Sequence, residues 1–221
     1  MTGAELSGGR AQRIAVLGAG HVGPVIAKIA IDAGFHVAIA ASGSPEKIEL
    51  ITQFVIPGAE PRWAADAVEG ADIVVLAIPL HKFATFDPAL VAGKLVVDAT
   101  NYWPAADGVL QAFQDRGSTS SEVVQRRLAK STVVKSLNHI GYHDLEDARR
   151  SAGAPDRSAI GIASDDSAAA QVVGNIIERI GYDTVHLDRL SAGRLLEPGG
   201  PIFGALLRRP QFEQALGAKA A

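Results

Sequence analysis

Apolar positions along the chain fall into two alternating kinds of pattern, which predict strands and helices in turn. Short continuous apolar runs at 14–17, 36–40, 73–77, 95–98 and 132–136 are typical of strands buried on both faces of a sheet. Between the first two runs, residues 22–31 have apolar side chains at helical spacing. This alternation predicts an α/β protein with a mainly parallel sheet.

Three glycines separate the first predicted strand from the first predicted helix. Gly18, Gly20 and Gly23 have the G-x-G-x-x-G spacing. In that motif the first glycine allows a tight turn, the second lets the backbone approach a pyrophosphate, and the third lets the helix pack closely on the strand. The helix N-terminus favours the negative charge of the phosphates. The motif predicts a Rossmann-type, doubly wound sheet in which the turn binds a dinucleotide through Gly18, Ala19, Gly20, His21, Val22 and Gly23.

The remaining pattern divides the chain into two parts. Residues 11–140 are predicted to form the dinucleotide-binding domain, with helices at 45–54, 65–70 and 120–128 and a short third strand at 62–64. Residues 141–221 are predicted to form a smaller α/β segment, which can count as part of one continuous domain. Its predicted elements are a strand at 158–163, a helix to residue 180 capped by Asp165 or Asp166, a strand at 184–187, and helical turns at 190–196 and 201–207.

The turn after the second strand indicates which dinucleotide is bound. NAD-binding Rossmann domains place an acidic residue about 20 residues beyond the glycines, where it binds the ribose hydroxyls. This chain has no acid there before Glu46. Instead, Ser42, Gly43, Ser44 and Lys47 offer hydroxyl, backbone and ammonium donors, which suit a 2′-phosphate. We therefore expect NADP(H) to be the cofactor; the alternative is that residues 42–45 form only a turn and a helix cap.

Composition and charge narrow the function further. The chain has 221 residues, a formal net charge of -3 and no cysteine, which argues against nucleic-acid binding and excludes disulfides. Charged residues and glycines interrupt its most apolar stretch, so no membrane span is expected. Residues 1–10 do not resemble a signal peptide. We expect a cytoplasmic enzyme with a small-molecule redox partner, without a metal site, and homodimeric through the apolar stretch 202–207.

Five stretches together resemble the NADPH-dependent reductases of the deazaflavin coenzyme F420. They span almost the whole chain in family order, and the last two are the more specific. The stretches lie at 16–23, 42–47, 72–79, 133–140 and 190–198. In this chain Gly43 stands where the family often has an arginine, so Ser42 and Lys47 would carry more of the phosphate contact.

The resemblance implies further site residues at matching positions. It implies that Ala77, Ile78 and Pro79 flank the nicotinamide side of the cofactor, with Asn101 nearby. It also implies that a deazaflavin ring is surrounded by Asn138, His139, Ile140 and Arg194.

The chemistry requires mainly the positioning of two rings, so no catalytic side chain is predicted. Coenzyme F420 is the expected co-substrate. A flavin or ferric-chelate reductase of the same fold is one alternative, and a non-catalytic NADPH sensor is another. Lys135 and Asn138 have the spacing of a catalytic pair in hydroxyacid dehydrogenases, but we interpret this as coincidence because Lys135 lies inside a predicted strand.

Overall fold

The protein is described here from a computed structural model that covers residues 12–115 and 117–217. Residues 1–10, the first residue of the predicted 11–140 domain and the last four of the predicted 141–221 segment therefore lie outside the described residues. A single sheet runs through the described chain. Its strands are β1 (Arg13–Leu17), β2 (His36–Ala40), β3 (Glu60–Pro61), β4 (Ile73–Leu76), β5 (Leu95–Asp98), β6 (Thr132–Lys135), β7 (Ala159–Ala163) and β8 (Asp183–Leu187).

The strand order confirms the predicted Rossmann-type fold. The order is β3-β2-β1-β4-β5-β6-β7-β8, and chain direction reverses only between β6 and β7. The carboxyl ends of β1, β2, β4, β5 and β6 therefore meet at one edge, because these strands are parallel. From β1 the chain runs outward through β2 and β3 on one side, and it then crosses to β4 on the other side of β1. Ligands of open α/β sheets bind at such a crossover point, which here lies between β1 and β4.

Helices connect most of these strands. The α-helices are α1 (Val22–Asp32), α2 (Glu49–Phe54), α3 (Ala64–Glu69), α4 (Leu80–Phe83), α5 (Pro104–Asp107), α6 (Ser120–Arg127), α7 (Tyr142–Asp147), α8 (Ser167–Arg179) and α9 (Arg209–Gly217). Four 3-10 segments accompany them, at Pro45–Ile48, Pro88–Val91, Gln111–Phe113 and Leu190–Leu196.

Helices cover both faces of the sheet, which is why the strands are continuously apolar. Along β1, Ile14 and Val16 belong to one buried cluster, together with residues of α1 and α8. Ala15 and Leu17 belong to a second cluster on the opposite face, with residues of α3 and α6. Successive side chains of a strand point to opposite faces, so both sets must be apolar.

Several predicted elements differ from the structure. The third strand lies at Glu60–Pro61 and not at 62–64, because pairing with Ala38 and Ile39 of β2 fixes its position. Helix α6 begins at Ser120, as predicted, and is capped by Thr119, whose side chain forms a capping box with Glu122. The stretch 201–207 is not helical: glycine and proline interrupt it, and Gly204 has a φ of 77°. In that stretch Ile202 is fully buried, so it is unavailable for a dimer contact, whereas Leu206 is 43% exposed.

Four short or late helices were not predicted. These are α4, α5, α7 and α9. The first three have four to six residues each, too few for a helical repeat to show in the apolar pattern. Within the described residues, no helix has the length and apolar character that crossing a bilayer requires.

Candidate functional site

The three motif glycines are required for different steric reasons. A Cβ atom on Gly18 would lie 2.3 Å from the carbonyl oxygen of Ala77, and its φ is 124°. A Cβ atom on Gly23 would lie 1.8 Å from the carbonyl oxygen of Gly18. Gly20 has no other heavy atom within 4 Å of the equivalent position. The first and third glycines thus hold β1, the turn and α1 together, whereas the second leaves open space above the backbone.

A cavity of about 460 Å³ opens at this turn. Seven residues predicted to bind the cofactor line it, namely Gly18, Ala19, Gly20, Ser42, Ala77, Ile78 and Pro79. The structure adds Lys82, Thr85 and Phe86 to its wall. Sequence reasoning missed these three because α4 and the turn after it give no clear periodic signal. The open space at Gly20 and the helix N-terminus beside it fit a dinucleotide pyrophosphate.

In the turn after β2, two residues of the predicted phosphate site, Gly43 and Lys47, lie close together. Gly43 has a φ of 120°, and the ammonium of Lys47 lies 3.1 Å from where a Cβ on Gly43 would stand. Lys47 thus folds back over the turn next to Ser42. An arginine in place of Gly43 would be strained in this left-handed backbone conformation. The arginine expected at this position from the resemblance is therefore unfavourable in this chain.

Ser44 has a different environment from the one expected. Its hydroxyl donates to the carboxylate of Glu46, and this hydrogen bond holds the pKa of Glu46 below its usual value.

Asn101 and Asn138 form a polar pair where β5 and β6 end. The side-chain nitrogen of Asn101 donates to the carbonyl oxygen of Asn138 at 2.8 Å, and the side-chain nitrogen of Asn138 donates to Oδ1 of Asn101 at 3.0 Å and to the carbonyl of Leu196 at 2.8 Å. These bonds leave Oδ1 of Asn138 as a buried acceptor without a partner among the described residues. Leu137, just before it, has a φ of 62°, a strained conformation for a residue other than glycine.

The side chains of His139 and Ile140 do not face an open pocket. His139 is 1% exposed, its Nε2 accepts from the backbone N–H of Gly161 at 3.0 Å, and its ring packs edge-on against Phe212. Burial lowers the pKa of His139 to about 4, so the ring is neutral. Ile140 belongs to the core cluster. Contacts with β7 and α9 turn the ring of His139 inward, and both side chains lie in the core. Their placement around an acceptor ring stays a prediction.

A buried ion pair lies directly beneath the asparagine pair. The ammonium of Lys135 is fully buried and lies 3.3 Å from Oδ2 of Asp98, and it also donates to the carbonyl of Thr100. The other carboxylate oxygen of Asp98 accepts from the backbone N–H and hydroxyl of Thr100, and Oδ2 also accepts from Ser121 at 2.5 Å. Lys135 is thus enclosed and hydrogen-bonded within the protein, consistent with a structural role.

Arg194 lies on the surface of the 3-10 segment Leu190–Leu196. The hydrogen bond from the backbone of Gly117 and that from Ser118 lower the pKa of Asp115, and the charge of Arg194 adds a smaller lowering effect. A position near the loop that follows β5 is compatible with the predicted acceptor side.

Known proteins are similar to the part of the chain that forms this edge. Residues 13–102 match the family described as NADP oxidoreductase, coenzyme F420-dependent. The chain is 26% identical to a hypothetical protein of Sinorhizobium meliloti, covering 90% of this chain and 96% of that one at a TM-score of 0.74. It is 25% identical to a candidate F420-dependent NADP reductase of Arthrobacter sp. FB24, covering 90% and 100% at a TM-score of 0.71.

More distant structures share the fold. An imine reductase of Pseudomonas sp. is 17% identical, covering 96% of this chain and 62% of that one, with a TM-score of 0.56. The comparison with curated proteins gave no match. The matched segment contains the glycine turn and the strands that form the cavity, and it ends just after Asn101. The chain is therefore an oxidoreductase of Rossmann-type fold, and over residues 13–102 it is similar to the family described as coenzyme F420-dependent NADP oxidoreductase.

Proposed function

We propose that this protein transfers a hydride between NADP(H) and a soluble deazaflavin of the coenzyme F420 type. The observation that carries the proposal is the cavity above Gly20, which extends from Ser42 to Pro79 along the carboxyl edge of the sheet. Its position agrees with the family match and with the general location of dinucleotide sites in such sheets. The S. meliloti and Arthrobacter proteins share the fold over nearly their whole lengths, which supports a common site.

We further propose that the cofactor is NADPH in preference to NADH. The 2′-phosphate would lie against Ser42, the free backbone at Gly43, and the ammonium of Lys47, which folds over that turn. Glu46 is the first acid in the sequence after β2, and a hydrogen bond with Ser44 lowers the pKa of its carboxyl. A site without a ribose-binding acid but with a lysine favours the additional phosphate.

The chain's own residues would mainly position the reacting groups. NADPH, when bound, supplies the hydride. Gly18 and Gly23 hold the turn, Ile78 and Pro79 line one end of the cavity, and the Asn101–Asn138 pair fixes the neighbouring strand ends. Transfer between two stacked rings requires orientation and exclusion of water more than a nucleophile.

The test is anaerobic stopped-flow mixing of the NADPH-loaded protein with coenzyme F420, FMN and ferric citrate in separate experiments. We expect rapid oxidation of NADPH with F420 and slow or no oxidation with the other two. Preference for FMN or ferric citrate would replace the proposed acceptor while leaving an oxidoreductase. Tight NADPH binding without oxidation by any acceptor would instead favour a cofactor-binding sensor.

A further inference from the structure

Two aromatic rings from distant parts of the chain meet beside the Asn101–Asn138 pair. Trp103 follows β5, and Phe203 follows the 3-10 segment Leu190–Leu196; their ring centroids are 5.9 Å apart at an angle of 40°. Trp103 is 46% exposed, whereas most large apolar residues of the described chain are buried. An exposed indole on one side of a polar strand edge is a surface suited to stacking.

The loop that carries Trp103 is held rigidly. The backbone N–H of Trp103 donates to Oδ2 of Asp107 at 3.0 Å. The hydroxyl of Tyr102 accepts from the N–H of Leu110 at 3.1 Å and from Gln114 at 2.7 Å, and its ring stacks on Phe113. These contacts hold the backbone of Trp103 in place, so less conformational entropy is lost when its ring binds a ligand.

Phe203 is equally constrained on its side. Ile202 is fully buried, and the N–H of Gly204 donates to the carbonyl of His139 at 2.7 Å. A Cβ atom on Gly200 would lie 2.5 Å from the carbonyl of Leu195, so the preceding turn is tight as well. These contacts attach the backbone around Phe203 to the loop that follows β6.

Contacts also connect Trp103 to the cofactor cavity. The same Asp107 accepts from the backbone N–H of His81 at 3.1 Å, two residues beyond Pro79 in the cavity wall. The loop after β5, which carries Trp103, is also joined to the loop after β6 by the hydrogen bond from Asn101 to Asn138. Trp103 and Phe203 therefore lie where the loops after β4, β5 and β6 converge, on the side where an acceptor would approach the nicotinamide end.

We propose that Trp103 and Phe203 form the outer wall of the acceptor site, against which a planar conjugated ring stacks. This inference rests on the proposed function and replaces the side chains of His139 and Ile140, which are buried. A planar deazaflavin or flavin gains dispersion and quadrupole interactions from such a wall. A compact, non-planar ferric chelate gains little, so the wall selects for the ring class of acceptor.

The experiment measures binding of coenzyme F420 to the NADP⁺-loaded protein by equilibrium dialysis, together with the KM and kcat of turnover. We expect Trp103→Ala to weaken F420 binding by roughly tenfold and Phe203→Ala by several-fold, on the scale of single aromatic contacts. Trp103→Phe should recover most of the affinity. The matched control is Trp63→Ala, since Trp63 is 53% exposed but follows β3, four strands away from β5. Its F420 affinity should stay within about twofold of wild type.

The outcomes separate this inference from the proposed function. If the wild type binds and reduces F420 but Trp103→Ala and Phe203→Ala do so equally well, the wall is refuted and the function stands. If the wild type binds neither F420 nor FMN and reduces only ferric citrate, both are refuted. Loss of NADP⁺ affinity in Trp103→Ala equal to the loss of F420 affinity would place Trp103 in the cofactor site, contrary to the proposal.

Discussion

The three glycines of the first turn face different surroundings, so a side chain should have a different effect at each. Gly20→Val places methyl groups in the open space above the turn, and its backbone is not in the left-handed region, so the fold should persist while NADPH binding is abolished. Gly23→Val would collide with the carbonyl of Gly18 and should prevent stable folding. Thermal melting and NADPH fluorescence titration of both variants test this; normal binding by Gly20→Val would contradict the site.

Lys47 tests the choice of cofactor. Removal of one charge-assisted hydrogen bond costs about 1.5 to 3 kcal/mol, so Lys47→Ala should weaken NADPH binding by roughly ten- to a hundredfold and leave NADH binding nearly unchanged. Lys130→Ala is the matched control, because Lys130 is exposed just before β6, away from the cavity. Equal losses for both nucleotides, or a wild type that prefers NADH, would refute the NADPH assignment.

His139 should make stability depend on pH. Burial lowers its pKa from 6.5 to about 4 in the folded protein, so below pH 6.5 the unfolded state binds a proton that the folded state does not. Its contribution to the free energy of unfolding should therefore fall by about 3 kcal/mol as pH decreases from 6.5 to about 4. His139→Gln keeps an acceptor for the N–H of Gly161 but cannot titrate. Urea unfolding of both proteins across this range should show the steeper loss in wild type; parallel curves would contradict the expectation.

At the scale of elements, the buried Lys135–Asp98 pair joins β6 to β5 beneath the site. Lys135→Met leaves the carboxylate of Asp98 buried without its cation and should destabilise the fold by about 3 to 5 kcal/mol. Adding Asp98→Asn removes that charge. Its one amide oxygen can still accept from Thr100, but its amide nitrogen replaces the oxygen that accepts from Ser121, so the double variant should recover only part of the loss. Chemical denaturation measures both effects. A cost below about 1 kcal/mol for Lys135→Met would mean that the pair is not effectively buried.

At the scale of the whole molecule, the β7–β8 unit should unfold together with the rest of the chain. It joins the sheet through the single pair Lys135 and Ala163, but Gly161 also bonds to Ser136 and His139, and one buried cluster includes residues of both parts. We therefore expect one cooperative transition, with equal calorimetric and van 't Hoff enthalpies. Two resolved transitions would instead indicate that residues 11–140 and 141–221 are separate domains.

Much of the fold, and many of the residues that line the cavity at the glycine turn, could be predicted from the sequence because their signals are local. The continuous apolar runs of β1, β2, β4, β5 and β6 indicate by themselves that both faces of each strand are buried. The glycine spacing of 18–23 predicts a turn whose steric needs the structure reproduces at Gly18 and Gly23. The short β3 and the small helices could not be placed, since only pairing and packing with distant residues fix them.

The surroundings of the proposed acceptor side depend on tertiary structure. Nothing near His139 in sequence indicates that Gly161 and Phe212 will enclose its ring. Trp103 and Phe203 are a hundred positions apart and meet only because the chain returns to the sheet edge after β8. The sequence determined the sheet, its glycine turn and the donors after β2, because each depends on a few consecutive residues. Side-chain direction in the loops after β5 and β6 depends on long-range packing, including the strained backbone of Leu137, and only the folded chain determines it.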